Sequence, residues 1–218
     1  VDMSPSILNI KPDALSSEQQ EALKTFKKMN ILAFKINEEN KRLGGQVEKV
    51  LQMAVLDKGE AKLSLTEVDV HERVKAIIDK MALQMDDRSG DFIMKLDATR
   101  TNIMADEVHF TNIITNLVDN AIKYSPDVPH VTLATLDSTN GIVISVTDEG
   151  IGMNKEQQKR VFEKFYRVPT GNIHNVKGFG LGLSYVKAMV EAHGGSIRLR
   201  SELLKGSTFE VFMPYTNQ

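Results

Sequence analysis

Asn112, Asn116, Asn120 and Lys123 recur at steps of three and four, which on a helix sets three amides and one ammonium along a single stripe. Glu and Lys serve a merely solvated helix face better than Asn does. Amide oxygens are neutral ligands for a hard cation, and an ammonium suits a phosphate. Taken alone, the stripe fits an ordinary polar face equally well. Two glycine clusters add to it. In Asp148-Glu149-Gly150-Ile151-Gly152-Met153, glycines at a strand end permit positive φ and close backbone approach to a ligand. An Asp before them can accept a hydrogen bond from an exocyclic amine such as that of adenine, although a plain glycine turn has the same appearance. In Gly178-Phe179-Gly180-Leu181-Gly182-Leu183 the glycines open a helix, where unpaired N–H groups and the dipole's positive end favour an anion. This second cluster lacks the Gly-Lys-Ser/Thr of a Walker A loop and the spacing of a dinucleotide fingerprint.

The elements that must position these residues follow from periodicity. Phe110, Ile113, Ile114, Leu117 and Ala121 form the core face of a helix starting near Asp106, whose acids suit the positive end of its dipole. Val70, Val74, Ile77, Ile78 and Met81 mark a helix over about 69–85. Leu183, Val186, Met189 and Val190 mark another, closed at Gly194. Short strands are expected near 62–65, 92–96 and 102–105, with a pair over 131–136 and 142–147. Ile197 and Leu199, then Phe209, Val211 and Met213, alternate with the other face near the end. Strict alternation implies a sheet covered on one side. The predicted fold class is α/β: a two-layer sandwich with a mixed, mostly antiparallel sheet covered on one face by helices. Phe162 and Phe165, three apart in Val161-Phe162-Glu163-Lys164-Phe165-Tyr166-Arg167, are expected on one helical face. Residues 168–177 are polar and aperiodic, as a flap over the glycines would be.

Four segments in this order resemble the ATP-binding domain of sensor histidine kinases, in the superfamily shared with gyrase, the ninety-kilodalton heat-shock chaperone and MutL. Residues 116–126 resemble its N box, 148–153 its G1 box, 161–167 its F box and 178–183 its G2 box. Gly206-Ser207-Thr208-Phe209 resembles the terminal segment that closes the nucleotide site. The resemblance spans residues 62–214, and the ordered set of boxes is far more specific than any one. It implies ATP and Mg2+ as cofactors. Asn120 would ligate Mg2+, and Asn116 would lie beside it near the reacting phosphate as the catalytic residue. Lys123 would contact phosphate and Tyr124 would line the nucleotide. Asp148 would read the adenine amine, with Thr208 helping and Gly150, Ile151 and Gly152 shaping the turn. Gly178, Phe179, Gly180, Leu181, Gly182 and Leu183 would wrap the phosphates. Residues 166–177 would form the lid, with Phe165, Arg167 and Lys177 also at the nucleotide. Phe179 departs from the Thr or Ser common at its position, which leaves the backbone cradle but not a side-chain contact.

Upstream, a long helix is expected from a Ser17/Gln20 capping box to about Asp57. The rows Phe26, Ala33, Asn40, Val47, Ala54 and Met29, Ile36, Leu43, Val50 repeat every seven residues as an a/d seam. Some 40 residues at 1.5 Å each make a rod of ~60 Å that needs partner helices. Gly44 and Gly45 suit a bend or a close helix approach. The rod resembles the second helix of the family's dimerisation hairpin, which implies a homodimer. The family's phosphoacceptor motif is His-Glu/Asp with Pro five residues after the His. His71 precedes Glu72, but Ala76 stands where Pro belongs, and His109, His130, His174 and His193 do not match. No phosphoacceptor is therefore expected in this chain, which should bind Mg-ATP without phosphorylating itself.

The bulk numbers restrict the rest. In 218 residues, 27 basic and 29 acidic side chains give a net charge of −2, so no global field draws nucleic acid. There is no cysteine, hence no disulfide or Cys-ligated metal. No apolar run approaches the ~20 residues of a membrane span. We expect 1–57 to be a partial dimerisation and phosphotransfer region, 58–61 a linker and 62–218 the ATP-binding domain. The resemblance implies the cytoplasmic portion of a bacterial inner-membrane sensor, joined to the membrane only through upstream segments, with a response-regulator receiver domain as partner. The competing readings are a superfamily ATPase that hydrolyses ATP, which usually carries Glu where Asn116 stands, and a non-catalytic dimerisation module.

Overall fold

The computed structural model describes residues 16–57, 63–168 and 180–215, in two units that divide between Leu51 and Gln52. The linker expected at 58–61 lies outside the described residues. The first unit is built on α1 (Ser17–Asp57), a single helix of 41 residues. Its cap sits one residue earlier than expected. Ser16 Oγ accepts the Gln19 N–H at 3.3 Å, and Gln19 Oε1 accepts the Ser16 N–H at 3.0 Å. Ser16-Ser17-Glu18-Gln19-Gln20 offers the capping box in two registers, and the helix takes the first. Met29, Ile36 and Val47 of the seam are each about 60% exposed (62%, 61% and 59%) within this unit. Ile31, Leu32 and Phe34 are exposed too, so the apolar surface is broader than an a/d stripe.

Past the end of α1, the second unit contains β1 (Leu65–Asp69) and α2 (Val70–Asp86), joined at Asp69, whose carboxylate caps the helix through the Glu72 N–H at 2.9 Å. β2 (Asp91–Leu96), β3 (Asn102–Asp106) and α3 (Glu107–Lys123) follow, then β4 (His130–Ser138) and β5 (Gly141–Asp148). The unit ends with α4 (Lys155–Arg160), α5 (Gly182–Ala192), β6 (Ser196–Glu202) and β7 (Gly206–Pro214). The main sheet has the order β2-β4-β5-β7-β6, parallel only between β2 and β4. β1 and β3 form a separate antiparallel pair, which periodicity did not separate from the main sheet.

One face of the sheet is covered. Val131, Leu133, Ile142, Ile144, Val146, Phe209, Val211 and Met213 are buried at alternate positions under α3 and α5, and α2 packs beside α3 on β2. All the apolar positions expected on α2 and α3 are in this core. At ~25 cal/mol per Å² of apolar area, a buried Leu or Ile contributes about 2 kcal/mol, so the core holds the helices in fixed register over the strands.

Candidate functional site

α3 starts at Asp106, whose carboxylate accepts the Val108 and His109 N–H groups at 3.1 Å each. The core face then fixes its rotation, and the amide stripe divides along its length. Asn112 Nδ2 reaches the Tyr185 hydroxyl at 3.5 Å, where His109 Nδ1 also bonds at 2.8 Å. Tyr185 is fully buried, and burial pushes its hydroxyl up to about 12. Asn116 is buried, donates from Nδ2 to the Asn112 carbonyl at 2.6 Å, and turns Oδ1 towards the start of α5. A Cβ on Gly182 would lie 3.1 Å from that oxygen. Asn120 is half-buried, and Lys123 is exposed and paired with Asp119. A stripe with one amide under another helix is not an ordinary solvated face.

The first glycine cluster closes on the end of α3. The Ile151 N–H donates to the Tyr124 carbonyl at 3.0 Å, and a Cβ on Gly150 would lie 2.5 Å from the same oxygen. Gly150 therefore has to be glycine. Asp148, at the end of β5, is 6% exposed and accepts the Gly150 N–H at 2.9 Å and the Ser207 N–H. Burial outweighs those bonds and pushes its carboxyl up to about 6. Thr208 stands opposite Thr147 in the ladder, with the hydroxyls 3.0 Å apart. Gly152 has φ +59°, and Leu204 N–H donates to the Ile151 carbonyl at 2.7 Å.

Here the sequence-based expectation for Phe162 and Phe165 fails. α4 stops at Arg160, and the chain runs on in turns. Phe162 packs on the core, edge-on to Phe209 at 6.4 Å. Phe165 has φ +63° and is 66% exposed, so the two rings share no helical face. A three-residue spacing carries no helical information once the helix has ended. The Phe165 N–H instead donates to the Gly180 carbonyl at 3.0 Å, and a Cβ on Gly180 (φ +71°) would lie 2.6 Å from the Tyr166 carbonyl. Burial raises the Tyr124 hydroxyl, and the Arg167 guanidinium pulls it back, which locates that charge near Tyr124.

α5 opens at Gly182 after buried Leu181, and Leu181 offers no side-chain cap. Among the described residues no side chain caps its first N–H groups, an arrangement that suits an anionic ligand. Leu183 is half-buried on the core side. Lys177, Gly178 and Phe179 lie outside the described residues, as does most of the expected lid. The contacts above join Tyr124, Asp148, Gly150 and Ile151 at one place and Asn116 and Gly182 at another, set Thr208 beside Thr147, and tie Phe165 to Gly180. Sequence reading missed Tyr185, which the core-face pattern of its helix passes over. It also missed the Ser207 N–H, a backbone donor with no side-chain signature.

Among the described residues no group of three or more His, Cys, Asp or Glu could cage a metal. A hard cation at this site would have to share neutral amide oxygens with ligand oxygens and water, the coordination Mg2+ prefers. His71 bonds to the Thr135 hydroxyl at 2.8 Å, and His193 is buried at the end of α5.

A profile of the histidine kinase-, DNA gyrase B-, and HSP90-like ATPase family matches residues 105–217. Sensor protein RprX of Bacteroides fragilis is 47% identical over 181 residues, which are 82% of this chain but 35% of the relative. The structure of full-length ShkA in complex with AMPPNP has a TM-score of 0.72 at 26% identity, over 96% of this chain and 41% of that one. Histidine kinase ThkA, in complex with response regulator protein TrrA, shares the fold with a TM-score of 0.66 at 22% identity, over 84% and 50%. The chain thus spans about a third to a half of these larger proteins. It belongs to the histidine kinase-, DNA gyrase B-, and HSP90-like ATPase family, as an ATP-binding domain of the sensor histidine kinase kind.

Proposed function

We propose that this chain binds Mg-ATP between α3, the Asp148 turn and the start of α5. We further propose that the protein it comes from transfers the γ-phosphoryl group to a histidine on a dimerisation domain. The observation that carries the site is that two glycine segments meet α3: the Asp148 turn, with Asp148 buried in it, through the Ile151 N–H on the Tyr124 carbonyl, and the start of α5 at Gly182 beside the Asn116 amide oxygen. Asp148 accepts the adenine amine, with Thr208 at its side. Tyr124 lines the nucleotide, and Lys123 and Arg167 offer positive charge. The N-terminus of α5, from Leu181 through Gly182 and Leu183, receives phosphate oxygens through its N–H groups. Bound Mg2+ would neutralise phosphate charge; Asn120 is the residue to hold it, with Asn116 beside the reacting phosphate. The chain's own work is positioning and charge stabilisation, since the nucleophile is an imidazole supplied from outside the site.

The flanking helix α1, with its exposed Met29, Ile36 and Val47, is suited to pairing with a second copy. In the full protein, a response-regulator aspartate would then take the phosphoryl group from the histidine. We place the chain on the cytoplasmic side of a membrane-linked sensor, with residues 1–57 in the dimerisation region and 62–218 as the catalytic domain. Calorimetry with ATP, with and without Mg2+, tests the site: tighter binding with the metal is expected, and no heat at millimolar nucleotide would refute it. Labelled ATP tests the division of labour. Acid-labile, base-stable phosphate on this chain would show that one of its own histidines is the acceptor.

A further inference from the structure

Arg88, in the turn after α2, lies outside the boxes that the function uses. Its guanidinium donates from Nη1 to the Ile122 carbonyl at 3.1 Å, and from Nη2 to the carbonyls of Ser125 at 2.6 Å and Asp127 at 2.7 Å. These three acceptors bracket Lys123 and Tyr124. At the end of α3 the carbonyls of the last turn need partners and carry the negative end of the helix dipole. Asn120's is taken by the Tyr124 N–H at 2.9 Å and Ala121's by the Ser125 hydroxyl at 2.8 Å. Ile122's is taken by Arg88, the one cation among the three donors.

We propose that Arg88 is a positioning residue for the nucleotide site, fixing the Lys123-Tyr124 pair from behind. Tyr124 meets the Asp148 turn through its carbonyl, which accepts the Ile151 N–H and leaves no room for a side chain on Gly150. A shift at residues 122–127 therefore moves that turn as well as the two side chains. A planar fork reaching three carbonyls at once is a task for arginine; a lysine ammonium is a point donor on a flexible stem. The inference rests on the nucleotide-site reading above.

The test uses the whole chain in two variants, Arg88→Gln and Arg88→Lys, with two readouts taken where circular dichroism shows each to be folded. The first is amide hydrogen exchange at Ile151 against Val146 and Val211 in the sheet core. The second is Mg-ATP affinity by calorimetry. We expect Ile151 to lose protection selectively, and affinity to fall about tenfold or more in Arg88→Gln, as a displaced contact residue implies. Arg88→Lys should fall between that variant and the wild type. Unchanged affinity and protection in both variants would overturn the proposal. So would equal loss of protection at Val146 and Val211, which means general loosening. A wild-type chain that binds no ATP would remove the site reading itself, and the positioning role with it.

Discussion

His193 Nε2 accepts the backbone N–H of Asp106 at 3.0 Å, joining the end of α5 to the cap of α3. Its Nδ1 lies 2.7 Å from the Met189 carbonyl, which can only accept, so Nδ1 carries the proton and the ring is neutral. Protonating Nε2 would set one N–H against another. Burial, with a smaller push from His109, holds this imidazole below its ordinary value of 6.5, against the pull of Asp106. A folded-state value below the unfolded one means that its stabilisation is complete above about pH 6.5 and is lost as pH falls through the folded value. His193→Phe should remove that acid limb from a plot of stability against pH. It should also cost about 2 kcal/mol at pH 7.5, by orphaning the Asp106 N–H. An unchanged limb would assign it elsewhere.

Asp148 acts with the opposite sign in an overlapping window. Its carboxyl is raised from 3.8 to about 6, so burying its charge opposes folding at pH 7, by on the order of 2–3 kcal/mol. That penalty is relieved as pH falls from about 6 towards 3.8. With Asp148 accepting the adenine amine as proposed, binding needs the ionised carboxylate, so ATP affinity should fall as pH drops through about 6 while the apo chain gains from the same protonation. Asp148→Asn should flatten the binding profile and weaken ATP on the order of tenfold to hundredfold, as removal of a buried charged acceptor does. It should also expose the His193 limb undiluted. Binding titrations and denaturant midpoints from pH 5 to 8 check both.

How far these residues could be read from sequence depends on whether side-chain periodicity or backbone geometry places them. The rotation of α2 and α3 is written in apolar spacing, and every expected core position there is buried. Asn116 was marked by its type and step, but its burial under Gly182 is set by where α5 begins, which no local pattern encodes. Phe165 was misplaced because three-residue spacing implies a helix only while one lasts; the chain instead takes φ +63° there and bonds to Gly180. The Ser207 N–H and the Tyr124 carbonyl were invisible because every residue but proline carries both groups. The cap of α1 slipped by one residue because Ser16 and Ser17 are equivalent by type.

Gly182→Ala should separate binding from stability. Alanine favours a helix over glycine by about 0.5–1 kcal/mol. The new Cβ would sit 3.1 Å from Asn116 Oδ1, tight enough that the amide must give way by a few tenths of an ångström. The thermal midpoint should hold or rise slightly, while Mg-ATP affinity falls roughly tenfold as the amide and the phosphate cradle are displaced. A variant that loses both together would place the contact in the fold and not in the site.

Asn120 offers the cleanest test of the metal. It is half-buried on α3, on the stripe it shares with Asn112 and Asn116, and no carboxylate cluster among the described residues could substitute for it. Mg2+ keeps several waters and binds through few protein oxygens, so losing one amide ligand should weaken metal-dependent binding without abolishing nucleotide binding. Asn120→Ala should therefore narrow the difference between ATP affinities measured with Mg2+ and with EDTA, and leave adenosine affinity within about twofold, a change near 0.4 kcal/mol. Asn120→Asp supplies a charged oxygen in place of the amide and should retain the metal dependence. If Asn120→Ala weakens adenosine as much as Mg-ATP, Asn120 shapes the pocket and the metal is held by other groups.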